Sequence, residues 1–306
     1  MSRNIQLPAM TEQHTLPRST YVLLMVLSLG WGCNWPMMKW ALAEIPVWTF
    51  RSACVGAGAL GMFAIAALRG SAIRIPSGQW PRVALTALCN VTLWNVLTGY
   101  GLTMLPAGRS AIIAYTMPLW VVVLSTVVLR EPLTRRRLLG VALGMSAMAL
   151  LVGSELSTLQ AAPMGLLLIV AGAFAWALGT VLLKRFPTDL PTTSFTGWQL
   201  LLGGLPIMIG ALILDWGNWH PVSAKAGYAL AYSTLVAFVL CHWVWFKIAG
   251  HAPASVSALG TLMIPVVGVS SGMLILGETP GWQEYVALVL VISALATVLI
   301  PSRTRA

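Results

Sequence analysis

Residues 106–131 read PAGRSAIIAYTMPLWVVVLSTVVLRE, and residues 253–278 read PASVSALGTLMIPVVGVSSGMLILGE. Pro106, Ala107, Ser110, Ala111, Pro118, Leu129 and Glu131 recur 147 residues later as Pro253, Ala254, Ser257, Ala258, Pro265, Leu276 and Glu278. Trp31 and Lys39 recur at a nearly equal offset as Trp176 and Lys184. The chain is an internal duplication. Its meaning turns on how many times each copy crosses a membrane, because an odd number inverts the second copy relative to the first.

Composition identifies the solvent. With 58% apolar and 8% charged residues in 306 and a mean hydropathy of +0.83, the chain carries more apolar surface than a water-soluble globule of this size hides. The net charge of +10 suggests nucleic acid only until the basic residues are located. They sit in the short gaps between apolar runs, where they set topology. Cys33, Cys54, Cys89 and Cys241 lie inside apolar runs without CxxC spacing, so neither a disulfide framework nor a metal site is indicated. The segment up to Arg18 is polar, without an apolar core and small-residue cleavage site, and reads as a cytoplasmic tail.

About twenty apolar residues cross the hydrocarbon core. Ten runs approach that length: Tyr21–Leu42, Pro46–Leu68, Val83–Leu105, Ser110–Leu129, Leu138–Val152, Met164–Leu183, Phe195–Leu214, Ala229–Ile248, Val256–Leu276 and Trp282–Ile300. The fifth is short, and the stems of Arg135, Arg136 and Arg137 before it can snorkel and lengthen it. The predicted fold is therefore all-α and integral to the membrane, with ten transmembrane helices as two inverted five-helix repeats. Residues 1–19 form the tail, 20–155 the first repeat and 160–301 the second, all in one membrane domain. With the amino terminus cytoplasmic, the inner segments carry fourteen Lys and Arg. The outer ones carry three, Lys39, Arg109 and Lys225, while Arg51 falls within the second span. Positive charge collects on the cytoplasmic side, so both termini are expected there.

The residues at this point resemble a known family. Two five-helix repeats, each with a tryptophan-bearing first helix and a fourth helix ending at Glu131-Pro132 or Glu278-Thr279-Pro280, are similar to the drug/metabolite transporter superfamily. The specific likeness is to its EamA-domain exporters, from about residue 20 to 301. Within them, the tryptophan-rich composition most resembles the bacterial aromatic amino acid exporters of the inner membrane. The resemblance implies a basket-like bundle with a central substrate cavity between the repeats, and alternating access by rocking of one half against the other. A multidrug or other metabolite exporter of the same superfamily is the alternative reading, and a passive channel a more distant one.

Polar residues inside spans face a bundle interior or a wet cavity rather than lipid. On the first helix Trp31, Asn34, Trp35 and Met38 share a face, with Lys39 beside it. The sixth helix repeats the pattern with Trp176, Thr180 and Lys184. Trp94 and Asn95 lie mid-span in the third helix, and the offset places His242 and Trp243 at the same depth in the eighth. Tyr115 and Gln199 complete the candidate substrate-binding set. For each, helix packing or a helix-to-helix hydrogen bond is the competing reading. Trp48, Trp80, Trp216, Trp219 and Trp282 sit near span ends and fit an interfacial belt.

Arg51 either pairs with Glu44 or, with Lys39, reads a substrate carboxylate at a gate. Glu131 and Glu278 are expected to cap or pair at span ends. Pro118 and Pro265 each remove a backbone hydrogen bond and mark a kink or hinge.

No Asp or Glu falls mid-span. A proton or sodium pathway normally places a carboxylate there, so weak or no ion coupling is expected, with His242 as the sole mid-span proton carrier. The same absence disfavours dicationic cargo and favours neutral or zwitterionic aromatic molecules, above all aromatic and other neutral amino acids. No GxSxG, HExxH or P-loop motif occurs, and His14, His220, His242 and His251 are scattered, so no enzyme is indicated. No cofactor or metal is called for; the partners are a small-molecule substrate and the bilayer, without nucleic acid, and a monomer is compatible with the sequence.

Overall fold

The computed structural model describes residues 18–132, 134–157, 163–218, 221–244 and 254–299. Pro253, Trp219, His220, His251 and Lys247 lie outside them. Among the described residues the regular structure is helical, in ten rods. The first span is built of two helices, Arg18–Gly32 and Asn34–Leu42. The second is Val47–Leu68, the third Trp80–Met104, and the fourth Ala107–Val128. The fifth is Arg135–Ser157. The sixth, seventh and eighth are Pro163–Arg185, Thr192–Leu214 and Ala224–Val244. The ninth is Ala254–Leu276 and the tenth Trp282–Leu299. The second, third, fourth, sixth, seventh and eighth are each long and apolar enough to cross a membrane. Five rods per copy mean that the second copy runs through the bilayer in the opposite sense.

The fifth rod begins at Arg135, earlier than the apolar run predicts. Its three arginines occupy the first helical turn, and Arg137 reaches back to Glu131.

The packing has the symmetry of the duplication. The second span packs on the seventh, the fourth on the ninth and the fifth on the tenth, so each of these contacts its own counterpart. Other contacts exchange in pairs: third with sixth and eighth with first, third with seventh and eighth with second, fourth with sixth and ninth with first. The correspondence reaches single residues. A Cβ on Gly203 would meet Val91 Cβ at 2.5 Å, and its counterpart Gly58 lies against Phe238, with a would-be Cβ at 3.4 Å from Phe238 Cβ. Small residues let the backbones approach, which is how helices associate where lipid removes the hydrophobic driving force.

Both copies also carry a π-helical stretch in their third rod, Leu88–Leu93 in one and Tyr232–Leu240 in the other. Both fourth rods end in the same cap. Arg130 (φ 55°) and Gly277 (φ 69°) adopt the left-handed conformation. The amide of Glu131 donates to Ser125 O and that of Glu278 to Gly272 O, each at 3.2 Å.

The copies differ where the chain breaks. The first rod turns at Cys33, before Pro36, and the fourth turns at Tyr115 and Thr116, just before Pro118. Pro118 therefore sits in the first turn of a new helix, where its missing N–H costs nothing. Pro265 lies inside the unbroken ninth helix, and Pro206 inside the seventh.

The end of the bundle that bears the turns after the odd-numbered spans is tied across the copies. Glu278 accepts from the amides of Ala107 (2.6 Å) and Gly108 (3.0 Å), capping the fourth span. Arg109 pairs with Glu284. Lys39 donates to the carbonyls of Leu102 (3.1 Å) and Leu105, closing the carboxyl end of the third span. Asp215 accepts from the Thr49 amide at 2.7 Å and Glu44 from the Ser223 amide at 2.7 Å. At the opposite end Glu131 instead pairs with Arg137 at 2.9 Å, both about one-third exposed.

These two glutamates form an internal comparison. Glu278→Ala leaves two amides without their acceptor and is expected to cost about 1–3 kcal/mol. Glu131→Ala, which removes an exposed pair, should cost about 0–1 kcal/mol. Thermal unfolding of both variants in detergent measures the difference, and equal shifts would refute it.

Candidate functional site

A cavity of about 480 Å³ lies between the copies, a size that suits one small organic molecule. Its wall takes residues from the first, second, third, fourth, sixth, seventh and eighth spans. It runs to Leu183 and Thr192, at the ends of the sixth and seventh spans that flank their connecting turn.

The aromatic part consists of two ring groups, built on the equivalent tryptophans Trp31 and Trp176. Trp94 meets Trp176 with centroids 5.3 Å apart and planes at 59°. Trp31 meets His242 edge-on at 5.6 Å, and Phe238 flanks the same imidazole at 5.5 Å. Such offset and edge contacts are the favoured geometries of aromatic quadrupoles. Backbone released by the π-helical stretch holds the second group: Ala237 O accepts from Trp31 Nε1 at 3.0 Å and lies 3.1 Å from His242 Nδ1. Tyr232 OH donates to Gly30 O at 3.1 Å, beside the break in the first span.

The polar part centres on Arg51. Its side chain is only 3% exposed. Nη1 reaches Met38 Sδ at 3.2 Å and Nη2 donates to Thr98 Oγ1 at 3.3 Å, while Nε has no hydrogen-bond partner within the protein. The guanidinium carbon lies 5.5 Å from the Phe50 ring centroid. Pairing with Glu44, one of the two sequence readings, does not occur. Glu44 faces the turn before the eighth span, accepting from the amide and hydroxyl of Ser223. No Asp or Glu lines the cavity among the described residues.

Three asparagines share the wall. Asn34, Asn90 and Asn95 are buried, and the Oδ1 of each lacks a hydrogen-bond partner within the protein. Asn95 Nδ2 donates to Val91 O at 2.8 Å, which fixes the orientation of that carboxamide. Gln199 Nε2 donates to Thr86 Oγ1 at 2.6 Å.

Of the residues selected from the sequence, Trp31, Asn34, Trp35, Trp94, Asn95, Tyr115, Trp176, Gln199, His242 and Arg51 line this one cavity. Lys39, Thr180 and Trp243 lie outside its wall. Lys39 is held by the third span's carbonyls, and Thr180 bonds back to Trp176 O at 2.9 Å. Trp243 is half-buried and packs against the core. Sequence reasoning missed Asn90, Thr98, Thr192, Phe195, Thr196 and Phe238. For Thr98 a signal was available, since it follows Trp94 by four residues on the same helix face. The same signal was available for Asn90, which precedes Trp94 by four residues; its alignment with Asn95, five residues on, was not legible. The π-helical stretch, with its i to i+5 hydrogen bonding, brings Asn90 and Asn95 onto one face.

A transporter architecture is matched by the comparisons with known proteins. The chain is 28% identical over 295 residues to the uncharacterised transporter YvbV of Bacillus subtilis, covering 95% of each. It is 24% identical over 303 residues to a probable amino-acid metabolite efflux pump of Escherichia coli, covering 92% of this chain and 94% of that protein. A solved crystal structure shares the fold at a TM-score of 0.66 and 19% identity, over 92% of this chain and 96% of that one. The EamA-like transporter family matches twice, at residues 18–153 and 163–300, one match for each copy in the duplication. The chain belongs to the EamA-like transporter family, and it is a multi-pass membrane transporter of small molecules.

Proposed function

We propose that the protein exports aromatic and other neutral amino acids across a bacterial inner membrane by alternating access, with weak or no ion coupling. One observation carries the reading: a buried guanidinium without an acidic partner lines the same cavity as two aromatic pairs. A carboxylate satisfies the guanidinium by a charge-assisted bond, and rings of the cargo stack on tryptophan faces. The likeness to probable amino-acid metabolite efflux pumps supports the substrate class.

The positive-inside bias supports cytoplasmic termini. In that orientation the cavity extends toward the cytoplasm at Leu183 and Thr192, the side from which an exporter loads. The tied end, with Glu278 on the fourth span and Arg109 on Glu284, then closes the outer side. Weak coupling is supported by the absence of an acidic lining residue among the described ones. His242, packed between Trp31 and Phe238, serves as an aromatic wall in this reading.

Counterflow in liposomes tests the function. Preloaded phenylalanine, tryptophan or leucine should stimulate uptake of labelled phenylalanine, whereas a pore gives no stimulation. Trp94→Ala and Trp176→Ala should each raise the half-saturating concentration of tryptophan about tenfold, with a smaller effect on leucine. A flux that required a proton gradient and vanished in His242→Ala would overturn the coupling part.

Arg51→Met separates function from folding. Removing a buried, unpaired cation should leave thermal stability unchanged or higher, while amino acid counterflow falls at least tenfold. A strongly lowered unfolding temperature would instead assign Arg51 a structural role.

A further inference from the structure

We propose that Asn34, Asn90 and Asn95 accept the primary ammonium group of the substrate, so that the cavity reads the whole zwitterion; this rests on the function proposed above. Each of the three carboxamide oxygens is at least nine-tenths buried with its residue and has no hydrogen-bond partner within the protein. A buried acceptor left unpaired costs about 1–3 kcal/mol. All three line the cavity together with Arg51, whose unpartnered Nε lies against Gly99 while the Asn90 carboxamide lies against Gly179, and acceptors and a donor in one cavity match the two ends of a zwitterion.

The geometry that assembles the set belongs to the third span. Its π-helical stretch, Leu88–Leu93, brings Asn90 and Asn95 to one face. One turn on, Thr98 accepts from Arg51 at 3.3 Å. Asn95 uses its amide nitrogen on Val91 O, which leaves its oxygen as the free group. The positions equivalent to Asn90 and Asn95 in the second copy are Ala237 and His242, also five residues apart across a π-helical stretch. There the wall is apolar and aromatic, with Phe238 and Trp31 around the imidazole. The two equivalent stretches thus hold opposite ends of the cargo: the first takes the charged head, the second the side chain.

The charge of the set predicts what is refused. Neutral oxygens bind an ammonium weakly on their own, and Arg51 repels a free amine. A decarboxylated amine therefore gains the oxygens and meets the cation uncompensated. A deaminated acid satisfies Arg51 but leaves the oxygens unpaired, and an N-acylated one offers them a single uncharged N–H and adds the bulk of the acyl group. Sites built to bond a polar group discriminate strongly against analogues lacking it.

The experiment is competition against phenylalanine counterflow in liposomes holding the wild-type protein. The competitors are unlabelled phenylalanine, phenethylamine, 3-phenylpropionate and N-acetylphenylalanine. Phenylalanine should compete, and each of the other three should be at least about a hundredfold weaker. Asn90→Ala and Asn95→Ala should each raise the half-saturating concentration of phenylalanine about tenfold, with unfolding temperatures near that of the wild type. Competition by 3-phenylpropionate or N-acetylphenylalanine as strong as by phenylalanine, lost in Arg51→Met, would overturn the ammonium site and leave the carboxylate reading standing. Counterflow with no amino acid at all would overturn both.

Discussion

Hydrocarbon offers a backbone no hydrogen-bonding partner, so an irregular turn at membrane depth survives only where the protein supplies one or where it lines a cavity. The irregular points of this bundle obey that constraint. The π-helical stretch of the eighth span exposes Ala237 O, and Trp31 Nε1 takes it. The one in the third span brings Val91 O to Asn95. Thr92, within the same stretch, donates to Gly203 O on the seventh span at 2.6 Å. The break at Cys33 follows Gly30 and Gly32, whose carbonyls accept from Tyr232 at 3.1 Å and Ser271 at 3.4 Å. In most cases the group that satisfies the defect comes from a different span. The irregular backbone thus forms the cavity and also links the elements around it.

The same economy explains the distribution of charge. Among the described residues, Glu278, Lys39 and the pairs of Arg109 with Glu284 and Glu131 with Arg137 cap helices or tie turns together at the ends of the rods. Among the described residues Arg51, in the second turn of the second span, is the buried cation that has no acid beside it. A buried cation of this kind opposes stability unless something negative visits it. Its partners, a thioether and a hydroxyl, hold it in place without neutralising it.

Much of this was legible in the chain. The duplication, the number of rods and the aromatic face of the first span follow from spacings of 147, of about twenty, and of three and four residues. The cavity gathers most of the selected side chains because polar and aromatic residues at mid-span have few other places to go. The losses also have physical causes. Asn90, four residues before Trp94, was legible on the same helix face, but its alignment with Asn95 was not, because sequence gives α-helical periodicity and the third span departs from it. The offset of 147 brings His242 to Asn95 but Cys241, not Trp243, to Trp94, so Trp243 shares the depth of the site without the equivalent position. Lys39 stands beside the aromatic stripe but finds the carbonyls of Leu102 and Leu105, and such cross-span partners leave no local trace in sequence.

The pairing of the second span with the seventh has a consequence for biosynthesis. The two begin 145 residues apart, at Val47 and Thr192. At about 5–20 residues per second, the ribosome takes on the order of 7–30 s to deliver the partner. During that interval Arg51 already has its first-copy partners, Met38 and Thr98, while the face of the second span that meets the seventh, with Val55 and Gly58, is uncovered. The second span therefore completes its packing late in synthesis, after the second copy has begun to arrive. Until then the second, fourth and fifth spans each lack the counterpart on which they pack, so the first copy is half of a packing unit.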